Sequence, residues 1–345
     1  MIEGELVSGL GQAAEFTRIG WVRHQLVDLA GIDPHPGTVN LTLADAASRA
    51  IWQSWRDAPG HRMEPPDPAY CSARCYPVRI AGRLPGAVVL PEIADYPENK
   101  VELVAALPLR SHLLLAEGAR VGVELCRPLA AKAVLFDIDG TLVDSIGAYL
   151  EVARVAAAPR GFQVTAEHVR VSLATGRNFW HGVVPGEHAD RDALMKAMSA
   201  HAAREWPRVL REHGKALPGL AATLDAMKRQ GMLLGIVSGA RPEVLELLRE
   251  HGILDRFDSV VLAADVAKRK PDPEGILKCL AALGISPAAA VYVGDTPVDI
   301  ETSRAAGSRA VAVLTGAGDS AMLSAAAPDR LISSHARLAQ VVVRD

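Results

Sequence analysis

Cysteine is scarce in this chain of 345 residues: there are four, at positions 71, 75, 126 and 279. That is too few for a disulfide framework. Cys71 and Cys75 form a C-x₃-C pair with no second ligand pair nearby, so they read as thiols at least partly buried rather than as zinc ligands. A reducing, cytoplasmic setting fits such sparse use. Long apolar runs are also missing. No stretch approaches the roughly 18 residues that a membrane span needs. The opening Met1-Ile2-Glu3-Gly4-Glu5 lacks the basic segment and apolar run expected of a secretory leader. Nor is there a basic excess: 37 Lys and Arg face 40 Asp and Glu, net −3. Residues 1–129 carry 12 basic and 15 acidic side chains, and the remainder carries 25 of each. Neither part has the positive field that draws nucleic acid by neutralising phosphates. Small molecules, anionic or neutral, are the expected partners.

What is present is apolar. Residues of that kind make up 49% of the chain, enough for substantial cores and compatible with a homodimer interface, and the length suggests two domains. Pro128 is a plausible linker residue, followed closely by the strand-like Ala133-Val134-Leu135-Phe136. The boundary is placed between a domain of residues 1–129 and one of 130–345.

The second part alternates apolar strands with amphipathic helices. Leu233–Val237, Val260–Leu262, Val291–Val293 and Ala310–Val313 read as strands. Pro242–His251, Pro273–Leu283 and Pro297–Ala306 read as helices, the last two with proline near the first helical position. A βαβ series implies an α/β Rossmann-like domain, a parallel sheet with helices on both faces. Such sheets bind ligands at the carboxyl ends of their strands.

Four polar clusters follow the apolar strands: Asp137-Ile138-Asp139-Gly140-Thr141, Ser238-Gly239, Lys270-Pro271-Asp272-Pro273, and Gly294-Asp295-Thr296-Pro297-Val298-Asp299. Parallel strands would gather them at one edge. A carboxylate such as Asp137 can attack phosphorus and form an aspartyl-phosphate. Asp137 and Asp295 offer the oxygen ligands that Mg²⁺ prefers. Asp139, two residues on, can protonate the leaving oxygen and then deprotonate water. Ser238 and Lys270 can hold the transferring oxygens, while Asp299 can orient Lys270 or a metal-bound water. Thr141, Gly239 and Asp299 are counted as substrate-binding candidates, and Gly140 permits a tight turn.

These residues resemble the haloacid dehalogenase (HAD) superfamily, and among its members the phosphoglycolate phosphatases: D-x-D-G-T-L-x-D-S, S-G, K-P-D-P and G-D-T-x-x-D stand in its order over residues 130–345. The resemblance implies Asp137 as nucleophile, Asp139 as acid/base, and Mg²⁺ held by Asp137, Asp295 and the Asp139 carbonyl. A small phosphomonoester is the implied substrate. A phosphomutase, which shares the aspartate pair, stays open. Asp137 and Ser238 are 101 residues apart, whereas a βαβ crossover needs about 30. Residues 146–216 are therefore expected to form an inserted helical cap. Within it, Arg177 is a candidate substrate contact.

Residues 1–129 look like a small β-barrel, with short strands punctuated by Gly and Pro. Strand candidates are Gly4–Leu10, Thr38–Leu43, Cys75–Ile80, Gly86–Leu90, Val101–Ala106 and Arg120–Leu125, and Phe16–Ala30 looks helical. Gly9 and Gly11 follow the first strand, where glycine lets backbone approach a phosphate. Thr38 and Asn40, two apart at a strand start, can jointly reach a metal on nucleotide phosphates. The series G-E-L-V-S-G-L-G, W-V-R, P-H-P-G-T-V-N-L, G-A-V-V-L-P, V-E-L-V-A and L-P-L-R resembles the archaeal-type CTP-dependent riboflavin kinases. That implies Gly9 and Gly11 in the nucleotide loop, Thr38 and Asn40 near Mg²⁺, and Glu102 beside the acceptor hydroxyl, with CTP and riboflavin or FMN as partners. The loop departs from that family's pattern, reading Gly11-Gln12-Ala13-Ala14-Glu15-Phe16. A bifunctional enzyme of riboflavin/FMN metabolism is the leading expectation, and a phosphatase carrying a nucleotide- or flavin-sensing domain is the alternative.

Overall fold

The computed structural model describes residues 1–8 and 13–345, without the side chains of Ala13 and Ala14. Gly9 and Gly11 lie outside the described residues. The chain divides into two units, Met1–Pro128 with Asp319–Ser334, and Leu129–Gly318 with His335–Asp345.

Within Met1–Pro128 the strands are β1 (Ile2–Val7), β2 (Val39–Thr42), β3 (His61–Met63), β4 (Ala73–Ile80), β5 (Leu84–Pro91), β6 (Lys100–Val104) and β7 (Arg120–Leu125). Their order is β3-β4-β5-β6-β2-β1-β7, and β7 also pairs with β4. Six antiparallel strands thus close into a barrel, with β3 on the outside edge of β4, and closure leaves those six without a free edge. Strict alternation drives it: along β1, Ile2, Gly4 and Leu6 point inward while Glu3 and Glu5 face water. Gly4 is needed there, since a Cβ would lie 2.7 Å from that of Leu41. The helix Ala46–Asp57 closes the barrel with Trp52 and Trp55, which pack on Tyr76 and the strand side chains. Each such buried aromatic contributes about 1.5–3 kcal/mol. Asp45 starts this helix by accepting from the Ser48 amide at 2.7 Å.

The remaining strands are β8 (Leu129–Ala131), β9 (Ala133–Phe136), β10 (Val143–Asp144), β11 (Lys215–Ala216), β12 (Leu233–Val237), β13 (Ser259–Val261), β14 (Ala290–Gly294), β15 (Arg309–Val313), β16 (Arg330–Ile332) and β17 (Val342–Arg344). The main sheet of the second unit runs β13-β12-β9-β14-β15, and β8 pairs with β17. The pairs β12–β13, β9–β12, β9–β14 and β14–β15 are parallel. Helices Leu220–Arg229, Glu243–Glu250, Glu274–Leu283 and Pro297–Ala306 connect the strands. All four residues of β9 are buried, as expected of a strand covered on both faces. The chain leaves β9 first toward β12 and later returns to β14, so the strand order reverses around β9. Such a switch point opens a crevice at the carboxyl ends.

Between β9 and β12 the chain makes its excursion. β10 and β11 pair antiparallel, Val143 with Ala216 and Asp144 with Lys215. They form a stem for three helices, Ile146–Ala157, Ala166–Thr175 and Arg191–His213. The first and third share an apolar cluster, including Ala153, Ala156, Met195 and Met198, which Trp180 joins from the segment between them. The sequence suggests two helices, 192–204 and 206–213, where the protein has one. Pro207 withdraws one backbone donor, but the buried face continues past it through Val209 and Leu210.

Candidate active site

Each polar cluster sits at the carboxyl end of a strand or the start of the helix after it. Asp137 follows β9, and its amide donates to the Val293 carbonyl at 2.9 Å. Ser238 follows β12; Asp295 follows β14; Asp299 lies in the first turn of the helix Pro297–Ala306. Asp137, Asp295 and Asp299 are 6%, 2% and 1% exposed, and one carboxylate oxygen from each lies within 4.8 Å of the others.

Lys270 is the positive charge among them. Its Nζ donates to Asp299 Oδ1 at 2.6 Å and to the Tyr292 hydroxyl at 3.2 Å, and it faces Asp137 Oδ1 at 3.0 Å. Burial alone would lower its pKa, but Asp137 and Asp299 outweigh that and hold it well above the ordinary value. Asp299 Oδ2 is taken up by the Thr296 amide and hydroxyl at 3.0 and 2.7 Å. Both of its oxygens are thus committed inside the protein, and Asp299 fixes the lysine.

Asp295 is held differently. Oδ1 accepts from Thr141 Oγ1 at 3.1 Å, and Oδ2 accepts from the Ala317 amide at 2.7 Å. Two glycines make room: a Cβ on Gly140, whose φ is +74°, would lie 2.4 Å from Asp295 Oδ2, and one on Gly316 would lie 2.0 Å from it. Thr315 ties these two loops by donating to the Gly140 carbonyl at 2.7 Å. The Thr315–Gly318 loop was missed from sequence, although it obeys the rule that flagged the others: a glycine-bearing segment directly after a parallel strand.

Asp139 accepts from the Tyr149 hydroxyl at 3.1 Å, while its Oδ1 is buried without a hydrogen-bond partner. Burial raises the pKa of Asp139 and lifts Asp137 to about 6, with Lys270 partly offsetting the second shift. Burial pushes Asp295 well up too. Four carboxylates around one ammonium make an anionic centre that invites a cation. The donor set fits Mg²⁺: all-oxygen, with Asp139 Oδ1 lacking a hydrogen-bond partner and Asp137 Oδ1 facing only the Lys270 ammonium.

Asp137, Asp139, Ser238, Gly239, Lys270 and Asp295 line one cavity of about 350 Å³. Arg177 reaches it from the inserted helices, and so do Lys268 and Arg269 from the loop before Lys270. Thr141 stands behind it on Asp295. Two further residues lacked a sequence signal. Tyr149 emerges only once the helix Ile146–Ala157 is placed. His335 is 2% exposed, bonds the Thr141 backbone, and is lowered by burial to about 4.

In the barrel, β2 sets Asn40 opposite Glu102 on β6. Thr38 Oγ1 and Asn40 Oδ1 are buried without hydrogen-bond partners. Two such atoms at the start of one short strand are costly unless a ligand satisfies them. Glu102 Oε1 accepts from Lys100 Nζ at 2.5 Å and from the Tyr96 hydroxyl at 3.2 Å.

A strand followed by two aspartates at a switch point, opposed by a fixed lysine and a cradled aspartate, is an arrangement suited to a hydrolase of phosphate esters with a helical insertion. The chain belongs to the haloacid dehalogenase-like hydrolases, whose family model matches residues 134–313. Residues 6–125 match a second family model, CTP-dep_RFKase, described as domain of unknown function DUF120. The phosphoglycolate phosphatase of Synechococcus elongatus is 30% identical over 220 residues, 62% of this chain and 98% of that protein. The N-acetylmuramic acid 6-phosphate phosphatase of Pseudomonas putida is 27% identical over 187 residues, 54% of this chain and 83% of that protein. The riboflavin kinase of Methanocella arvoryzae is 34% identical over 125 residues, 36% of this chain, and the match spans 56% of that kinase. Among the described residues no helix is long and apolar enough to cross a membrane.

Proposed function

We propose that the second unit hydrolyses a small phosphomonoester in two displacements through an aspartyl-phosphate on Asp137. The observation that carries this reading is the convergence of Asp137, Lys270 and Asp295, from three separate segments, on the wall of one crevice, with Asp299 holding the lysine. In the first displacement an Asp137 oxygen bonds to phosphorus while the bond to the ester oxygen breaks. Asp139, whose pKa burial raises, gives a proton to the departing alkoxide. Asp139 then takes a proton from the water that attacks the aspartyl-phosphate, releasing phosphate and regenerating Asp137. Ser238 and Lys270 hold the non-bridging oxygens as their charge grows. Mg²⁺ bound by Asp137, Asp295 and the Asp139 carbonyl would neutralise charge between carboxylate and phosphate. Thr141 and Asp299 act one step back, on Asp295 and Lys270, and Arg177 and Gly239 receive the substrate.

For the barrel we propose phosphoryl transfer from CTP to a hydroxyl of riboflavin, with Thr38 and Asn40 at the nucleotide's Mg²⁺, Gly9 and Gly11 along its phosphates and Glu102 beside the acceptor. The unsatisfied Thr38 and Asn40 oxygens support this reading.

The test is phosphate release from a panel of phosphomonoesters by purified full-length protein. Release should require Mg²⁺, stop with excess EDTA and return when Mg²⁺ is restored. Release that persists in EDTA contradicts the reading, and transfer to a second acceptor without free phosphate would point to a mutase.

A further inference from the structure

Beside the catalytic cavity lies a second one of about 310 Å³. The two share Tyr149, Ser172, Leu173, Gly239 and Ala240 as walls, so the second opens where a leaving group would emerge from the phosphate site. Its character is different. Tyr149, Phe179, Trp180 and Trp206 give it aromatic walls; Val152, Val169 and the small Ala202 and Ala203 fill in the rest. Trp206 lies against Tyr149, with ring centroids 4.5 Å apart and planes tilted by 33°. Phe179 meets Trp180 edge to face at 4.8 Å. No carboxylate lines the space, and its one formal charge is the exposed Arg241.

A two-carbon acid esterified at the phosphate site would leave this volume to water against aromatic faces, which is unfavourable. A planar ring system would displace that water and stack on the aromatic walls, and Arg241 and the Ser199 hydroxyl could donate to ring carbonyl or ring nitrogen acceptors.

We propose that this cavity is the leaving-group subsite, and that it selects phosphomonoesters whose alcohol carries a planar heteroaromatic ring over short hydroxy-acid phosphates. The proposal rests on the phosphatase reading of the neighbouring site and narrows its substrate class. Even one methylene of difference in an apolar pocket separates substrates by about 10–200-fold in kcat/KM.

The experiment compares phosphate release by full-length protein from riboflavin 5′-phosphate and pyridoxal 5′-phosphate with that from phosphoglycolate and glycerol 3-phosphate. The expected result is a kcat/KM at least about tenfold higher for the ring-bearing pair. In Ala203→Phe, which fills the cavity, the ratio of ring-bearing to short substrates should fall by about the same factor. A measurement on the unaltered protein stands beside the variant: free riboflavin should inhibit phosphoglycolate hydrolysis competitively, and glycolate should not. Equal or better turnover of the short substrates, or an unchanged ratio in a folded Ala203→Phe, overturns the subsite while leaving the phosphatase intact. Failure to hydrolyse any of the four overturns the phosphatase reading and the subsite with it.

Discussion

Asp137 is surrounded at close range by more negative charge than Lys270 can balance. Burial holds its carboxyl at about 6, against an ordinary 3.8. Between those two pH values the folded protein binds a proton that the unfolded chain has released, so this group's contribution to stability falls as pH rises from about 4 to 6. Asp137→Asn removes the charge and leaves Lys270 paired with Asp299. Without added metal, the variant should melt at a higher temperature than the parent at pH 7.5, and the gap should close near pH 4.5. A variant that melts lower at pH 7.5 contradicts this account, and differential scanning calorimetry in EDTA reads it directly.

At the scale of elements, the site is made by loops that follow strands, and their glycines fix the shape. Gly316→Ala would drive a methyl into Asp295, which cannot retreat because Thr141 and the Ala317 amide hold both its oxygens. Displacing a ligand-bearing carboxylate by about 1 Å costs on the order of 10²-fold in turnover. Phosphate release should fall by that much while circular dichroism stays native; full activity in Gly316→Ala would show that Asp295 need not sit where the cradle holds it. The elements around these loops were legible where pattern and breaker agree. Helix 297–306 and strands 233–237 and 120–125 stand where the sequence puts them. Other elements carried weaker cues. Helix Ala166–Thr175 is short, and its start is a box in which Thr165 caps His168 rather than Glu or Gln. Helix Ala46–Asp57 buries Ser48 and two tryptophans, not an aliphatic stripe, and β3 has three residues, His61-Arg62-Met63, with no apolar alternation. Residues Asp137, Asp139, Ser238, Lys270, Asp295 and Asp299 could be read because each follows a recognisable strand or opens a helix. Tyr149 and His335 could not, because they are brought to the site only by tertiary packing.

On the scale of the whole molecule, the chemistries proposed for the two units use separate residues. The barrel's candidate groups are Thr38, Asn40 and Glu102, while those of the hydrolase unit begin at Asp137. The two activities should therefore separate by single substitutions. Asp137→Asn should still form FMN from riboflavin and CTP with Mg²⁺, now without loss of product to hydrolysis. Asn40→Ala should lose FMN formation by about 10²-fold or more and keep phosphate release. Absence of FMN in Asp137→Asn would leave the barrel as a binding domain that senses nucleotide or flavin, as its altered loop Gly11-Gln12-Ala13-Ala14-Glu15 would allow.

The most direct measurement is capture of the covalent enzyme. Full-length protein mixed with Mg²⁺ and a phosphomonoester it turns over, then quenched in acid within the first turnover, should yield one phosphorylated peptide. The label should sit on Asp137, be removed by hydroxylamine, and be missing in Asp137→Asn, which should also be inactive. A label on any other residue, or undiminished hydrolysis by Asp137→Asn, would contradict the account.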